Sequence, residues 1–175
     1  GAARDQDKAG TAVLTNALLS EGAGDLSANQ ISERFDELGA RFSSTAQRDM
    51  ANLTLRSLSE KEVLSPALET LTLLLSQPTF PKDAFERERK RMLVGIQQRK
   101  QSPGALADEA FYKAVFKTHP YAVMPTGYED TVESLTVDDL KAFYQRYYVA
   151  SNATIAIVGN LGRAQAEKVA KTVIG

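Results

Sequence analysis

Apolar residues recur every three to four positions along most of the chain, the period of amphipathic helices. Only a few stretches shift to an alternating or continuous pattern. Residues 8–21 read as a helix that is apolar on nearly every side, with Asp7 as its N-cap and Gly22 as its stop. Ser27 caps a second helix, in which Ile31, Phe35 and Leu38 keep helical spacing and Gly39 ends the run. "ARFSSTAQRD" and "MANLTLRSLS" then read as two strands joined by a turn near Arg48-Asp49. A helix with a long Leu face spans 62–75, and "QPTFP" breaks the chain. Pro81 suits the first turn of a helix running to about Lys100, and Ser102-Pro103 start another to about Lys117. "THPYAVMPTGYED" is expected to be a loop. Thr136 caps a helix with acid in its first turn. Thr154 to Val158 give the clearest strand signal, five consecutive apolar or β-branched residues, and a last helix starts near Arg163.

Helices come in groups instead of alternating one for one with strands. That pattern predicts an α+β fold: a mixed, largely antiparallel sheet with helices packed mainly on one face. Three strands are few for so many helices. The expectation is therefore one domain over 1–175 that lacks its first strands, these lying upstream of Gly1, with a second domain following beyond Gly175.

Composition narrows the chemistry. The 21 basic and 22 acidic residues nearly cancel, so no strong field calls for nucleic acid or an anionic membrane. No apolar run reaches the roughly 18 residues of a membrane span. The chain has no cysteine, which removes disulfides, thiol catalysis and Cys-zinc sites, and a single histidine, His119. A catalytic zinc site draws largely on imidazoles, so a multi-His site cannot be built from this chain alone.

Several motifs have plain structural readings. His119-Pro120-Tyr121 reads as a loop imidazole that pins the backbone ahead of a proline. The charge run 86–91, "ERERKR", reads as a solvated helix face laced with i,i+4 pairs. "VGNLG" at 158–162 lacks the full glycine fingerprint of a nucleotide turn and reads as a β-to-α turn. Phe143, Tyr144, Tyr147 and Tyr148 read as core or partner-facing aromatics. Two features are left over. On the first helix Val13, Asn16 and Ala17 share a face at the spacing of a metal-binding helix. On the helix over 82–100, Val94 sits about 180° from Phe85, among Asp83, Arg87, Lys90, Arg91 and Gln98.

These pieces together resemble the insulinase-like (pitrilysin and mitochondrial processing peptidase) family of zinc peptidases. The resemblance is to the first homologous domain of a short bacterial member. The cues are "GTAVLTNALLSEGAG", "LGARFSSTAQRDM", "FERERKRMLVGI" and the long stretch "HPYAVMPTGYEDTVESLTVDDLKAFYQRYYVASNATIAIVGNL". Active members of that family carry an inverted motif, H-x-x-E-H, followed after 76 intervening residues by a Glu ligand. Two imidazoles and the distant carboxylate hold Zn²⁺, and the Glu between the imidazoles activates the bound water. In this sequence the first His position is Val13, the general-base position is Asn16 and the second His position is Ala17. Residues 18–93 intervene, so the third-ligand position is Val94; an accessory family Glu, seven residues before it, falls at Arg87.

The resemblance therefore implies a domain that is not an enzyme on its own and holds no catalytic, cofactor or metal residue: Val and Ala cannot ligate, and Asn cannot take a proton from water. It implies a homologous zinc-bearing subunit or domain as partner, in a heterodimeric metalloendopeptidase, with Zn²⁺ only in that partner and an extended peptide as the shared substrate. A scaffold subunit without peptide binding, or the inactive half of a longer chain with zinc elsewhere, are the alternatives. The periplasm is the expected compartment.

Overall fold

A computed structural model describes residues 1–174 and shows an α+β chain whose described residues divide into two compact units. Among the described residues, unit 1 comprises 1–18, 44–52 and 81–143; unit 2 comprises 19–43, 53–80 and 144–174.

In unit 1, α1 (Thr11–Leu18) is shorter than its apolar pattern predicts, because the chain before it is held by a different acid. Asp5, not Asp7, closes the N-terminus: its carboxylate accepts the amides of Gly10 at 2.9 Å and Ala12 at 3.0 Å. Asp7 stays exposed. Gly22 likewise does not stop this helix; it lies in a short strand. Thr11, Ala12, Leu14, Thr15, Asn16 and Leu18 are all buried, so α1 is covered on most of its circumference. It packs on α4 (Lys82–Lys100), which buries Ala84, Phe85 and Ile96 and also meets α5 (Pro103–Phe116) and α6 (Glu129–Ser134). Ser102 accepts the Ala105 amide at 3.4 Å and Pro103 follows it, the expected helix start. The predicted loop 118–130 is more ordered than its turn-forming composition implies. It holds a 3-10 turn over Pro120–Ala122 and the first residues of α6. In α7 (Val137–Tyr147), Thr136 and Asp139 bond reciprocally: each backbone amide donates to the other's side chain, at 2.9 and 3.3 Å.

Unit 2 opens with a small hairpin that the pattern did not show: β1 (Gly22–Ala23) pairs antiparallel with β2 (Leu26–Ser27). Gly24 turns it at φ +55°, a conformation that favours glycine. Ser27 caps α2 (Ala28–Glu37) in a capping box with Gln30. The apolar face of α2 gives Ile31 and Phe35 to a core with Ala23, Ala40, Ala67 and Leu74, against which Leu26, Leu38, Phe42, Leu55 and Leu73 pack. Phe35 and Phe42 stack with ring centres 5.6 Å apart. α3 (Lys61–Ser76) contacts α8 (Arg163–Ile174), and the Thr72 hydroxyl donates to the Thr172 carbonyl. The Tyr144 hydroxyl donates to the Leu75 carbonyl, and its ring meets Phe80 edge-on at 5.7 Å.

The predicted hairpin is present as β3 (Arg41–Ala46) and β4 (Ala51–Arg56), paired in one sheet. The turn is closed by Gln47 N–H donating to the Met50 carbonyl at 2.8 Å. The strongest strand signal is not realised. Thr154–Val158 form no strand, and among the described residues their amides and carbonyls make no backbone hydrogen bond. β-propensity describes how a residue fits a pleated, partly covered surface. Among the described residues no neighbouring strand supplies that surface, and Val158 is 99% exposed.

Candidate functional site

The site marked by the sequence lies in unit 1, where α1 packs on α4. Positions i and i+4 of a helix share a face, so α1 sets Val13 above Ala17 on one side. Both are half-buried. Asn16, one position before Ala17, is 3% exposed and engaged with the protein. The buried hydroxyl of Thr15 beside it has no hydrogen-bond partner. On α4, the apolar side chains of Phe85 and Ile96 point inward and Val94 is 51% exposed. That matches its place opposite Phe85 on the helical wheel.

A zinc ion needs imidazole, thiolate or carboxylate donors about 2 Å away. Val13, Ala17 and Val94 offer methyl groups, and Asn16 offers a neutral carboxamide. These residues do not fit the metal. Among the described residues, no three His, Cys, Asp or Glu side chains gather in a way that could hold a metal ion. Arg87, expected from the sequence at an accessory acid position, is exposed and lies 3.5 Å from Glu88.

His119 stands at the head of the Pro120–Ala122 turn. Its Nδ1 accepts the Tyr121 amide at 3.2 Å, and its ring meets the Tyr121 ring edge-on at 4.7 Å. The imidazole is exposed and fixes the backbone around Pro120. The nearby Tyr121 hydroxyl donates to Asp49 in the β3–β4 turn. That bond and the adjacent negative charge push the tyrosine's pKa up. In the charge run on α4, Arg89 pairs with Glu86 at 2.6 Å and Arg91 with Glu88 at 3.7 Å, both at i,i+3. Arg89 turns aside to reach the carbonyls of Glu133 and Leu135.

Asp5 escaped the sequence reading. It is 7% exposed, and burial pushes its carboxyl up to about 7 in spite of the backbone donors that favour the ionised form. The available signal was a choice between two acids, Asp5 and Asp7, ahead of Gly10. The glycine, at φ +103°, lets the chain double back so that the earlier acid reaches the helix.

Comparison with known proteins bears on these positions. Residues 1–125 match the family model described as insulinase (peptidase family M16), and residues 134–175 match the model described as the peptidase M16 inactive domain. The crystal structure of a peptidase M16 inactive domain from Pseudomonas fluorescens superimposes with a TM-score of 0.97 at 40% identity, over 99% of this chain and 42% of that one. A Helicobacter pylori protein named non-peptidase homolog YmxG is 24% identical over 161 residues, 92% of this chain and 37% of its own length. A zinc protease named as uncharacterized, from Rickettsia felis, is 28% identical over 134 residues, 77% of this chain and 32% of its own. The chain thus spans well under half the length of each of these relatives. Together, the family model over 1–125 and the fold of α1 and α4 establish that this chain belongs to the insulinase family, peptidase family M16.

Proposed function

We propose that this domain is the catalytically silent member of a peptidase assembly, working beside a zinc-bearing homologous domain or subunit. One observation carries the reading. The positions that the resemblance assigns to the ligands and the base hold Val13, Asn16 and Ala17 on α1 and Val94 on α4, the helix that α1 packs against, so all four are replaced together. The match to an M16 inactive domain and the likeness to a relative named a non-peptidase homolog support it. In this reading the domain walls part of a chamber for unfolded peptide, and a sheet edge pairs with the extended substrate through main-chain hydrogen bonds. The compartment carried by the reading is the periplasm.

The test is metal analysis and peptide hydrolysis on the purified chain, with affinity capture of homologous chains from the source cell. Expected are no stoichiometric zinc, no cleavage, and a co-purifying chain or flanking domain with an intact H-x-x-E-H. One tightly held zinc per chain, or cleavage that a chelator abolishes, overturns the reading. Capture of a zinc-bearing homologue whose complex shows no affinity for peptide in calorimetry leaves a scaffold role in place of the chamber.

A further inference from the structure

α5 is inverted. A helix on a protein surface buries its apolar stripe and shows its charges. On α5 the line Leu106, Ala110, Ala114 and the adjacent line Ala107, Phe111, Val115 cover about half the circumference without one charge. That half faces outward: Leu106 is 46% exposed, Phe111 61% and Val115 52%. On the opposite half, Ala105, Glu109, Tyr112 and Phe116 are half-buried, flanked by exposed Asp108 and Lys113. Glu109 lies 3.8 Å from Arg99, Arg48 stacks over the Tyr112 ring at 3.8 Å, and Phe116 meets Tyr121 at 5.3 Å. None of the residues of α5 is buried. Contiguous exposed apolar surface of this kind marks an interaction site.

The chemistry of the face selects its occupant. Three alanines between Leu106 and Phe111–Val115 leave a shallow channel between larger side chains, the shape into which the ridge of another helix fits. The absence of charge is the mark of permanent contacts, which resemble a core cut in two, and not of transient ones, which carry more polar groups. A permanent partner has an available source, since the chain spans only 42% of the Pseudomonas structure and 32–37% of the two sequence relatives. We propose that the Leu106–Val115 face of α5 is the docking face for an apolar helix from the part of the natural polypeptide outside residues 1–175. The proposal is independent of the peptidase reading, because neither zinc nor peptide enters it.

Residues 1–175 hold no cysteine, and peptide mapping identifies each introduced one in the longer polypeptide. Val115→Cys reports on the face, and Arg163→Cys, whose native side chain is 93% exposed, is the control. Each is placed in the 175-residue chain and in the full natural polypeptide. Maleimide labelling is read by peptide mapping, with circular dichroism to show that each variant is folded. Expected is ready labelling of both positions in the 175-residue chain. In the full polypeptide, labelling at 115 is expected to slow at least tenfold while 163 is unchanged. Adding Phe111→Glu to the full polypeptide is expected to restore labelling at 115. Unchanged labelling at 115 in the full polypeptide overturns the proposal, as does a natural polypeptide with no further domain. Protection in the 175-residue chain that grows with concentration assigns the face to a second copy and overturns it too. So does protection that appears only when unfolded peptide is added.

Discussion

The Asp5 carboxylate accepts the Ala12 amide at 3.0 Å and so ties the start of the chain to the first turn of the helix that carries Val13, Asn16 and Ala17. A helix N-terminus has free amides that need acceptors, and the positive end of the helix dipole favours a carboxylate there. This one is nearly removed from water, which works in the opposite direction.

Stability is expected to fall with rising pH in a defined window. The carboxyl sits near 3.8 in the unfolded chain and about 7 in the folded one. Below about pH 4 both states are protonated and the contribution is fully present. Between about 4 and 7 the unfolded chain releases this proton and the folded one keeps it, so the contribution declines, with a limiting slope of about 1.4 kcal/mol per pH unit. Above about 7 it is gone. Asp5→Asn keeps an acceptor and cannot ionise. Urea unfolding of both proteins from pH 3.5 to 8 is expected to show the decline only in the parent; parallel curves refute the assignment.

Two glycines are expected to respond in opposite directions to the same substitution. Gly127 has φ +69°, and a Cβ there falls 2.3 Å from the Ala9 carbonyl oxygen, at the approach to α1. Backbone on one side and left-handed geometry on the other leave no relief, so Gly127→Ala is expected to cost at least about 2 kcal/mol. Gly95 lies within α4 beside Val94, with nothing within 4 Å of its Cβ position. Gly95→Ala is expected to stabilise by roughly 0.5–1 kcal/mol through helix propensity alone. Thermal melts of the two variants decide the matter, and a destabilised Gly95→Ala shows that this face of α4 is covered.

Thr154–Val158 are expected to exchange their amide protons freely in this chain, and Val158→Thr to change stability by less than about 0.5 kcal/mol. Strong protection there, by hydrogen exchange and mass spectrometry, means that the segment is paired after all. This segment marks where legibility ends. Ser27, Thr136 and the β3–β4 turn were readable because a cap or a turn is settled within four residues. Thr154–Val158 depend on a partner strand, and no local pattern tells whether one is present. The β1–β2 hairpin was missed for the converse reason. Its strands are two residues each, too short for any period, and it is held by distant bonds: Gly24 N–H to the Gln77 carbonyl and Thr79 N–H to the Gly22 carbonyl, both 2.9 Å. At the candidate site, the four positions rest on motif spacing and not on physics, since Val, Asn and Ala on a buried helix look like ordinary core. Burial then separated them, with Asn16 enclosed and Val94 half in water.

The spacing itself is testable by reversing it. Val13 and Ala17 are half-buried on one face of α1, and Val94 is 51% exposed on the packed α4, so larger polar side chains at these three positions have access to solvent. Asn16→Glu alone introduces a buried carboxylate, which is costly unless a cation meets it. The combined variant Val13→His, Asn16→Glu, Ala17→His, Val94→Glu supplies two imidazoles one helical turn apart, a carboxylate from the second helix, and the acid between the imidazoles. It is expected to take up one zinc per chain and to melt at a higher temperature with zinc, the gain reversing on chelation. At a hundredfold excess over the dissociation constant the added stability is about 2.7 kcal/mol. The parent chain is expected to show no zinc-dependent shift. The version that keeps Val94 is the decisive control, because α1 alone contributes only two imidazoles and an acid that does not ligate. If that version binds zinc as tightly as the full set, position 94 is not the third-ligand position, and the alignment of α4 with α1 has to be redrawn.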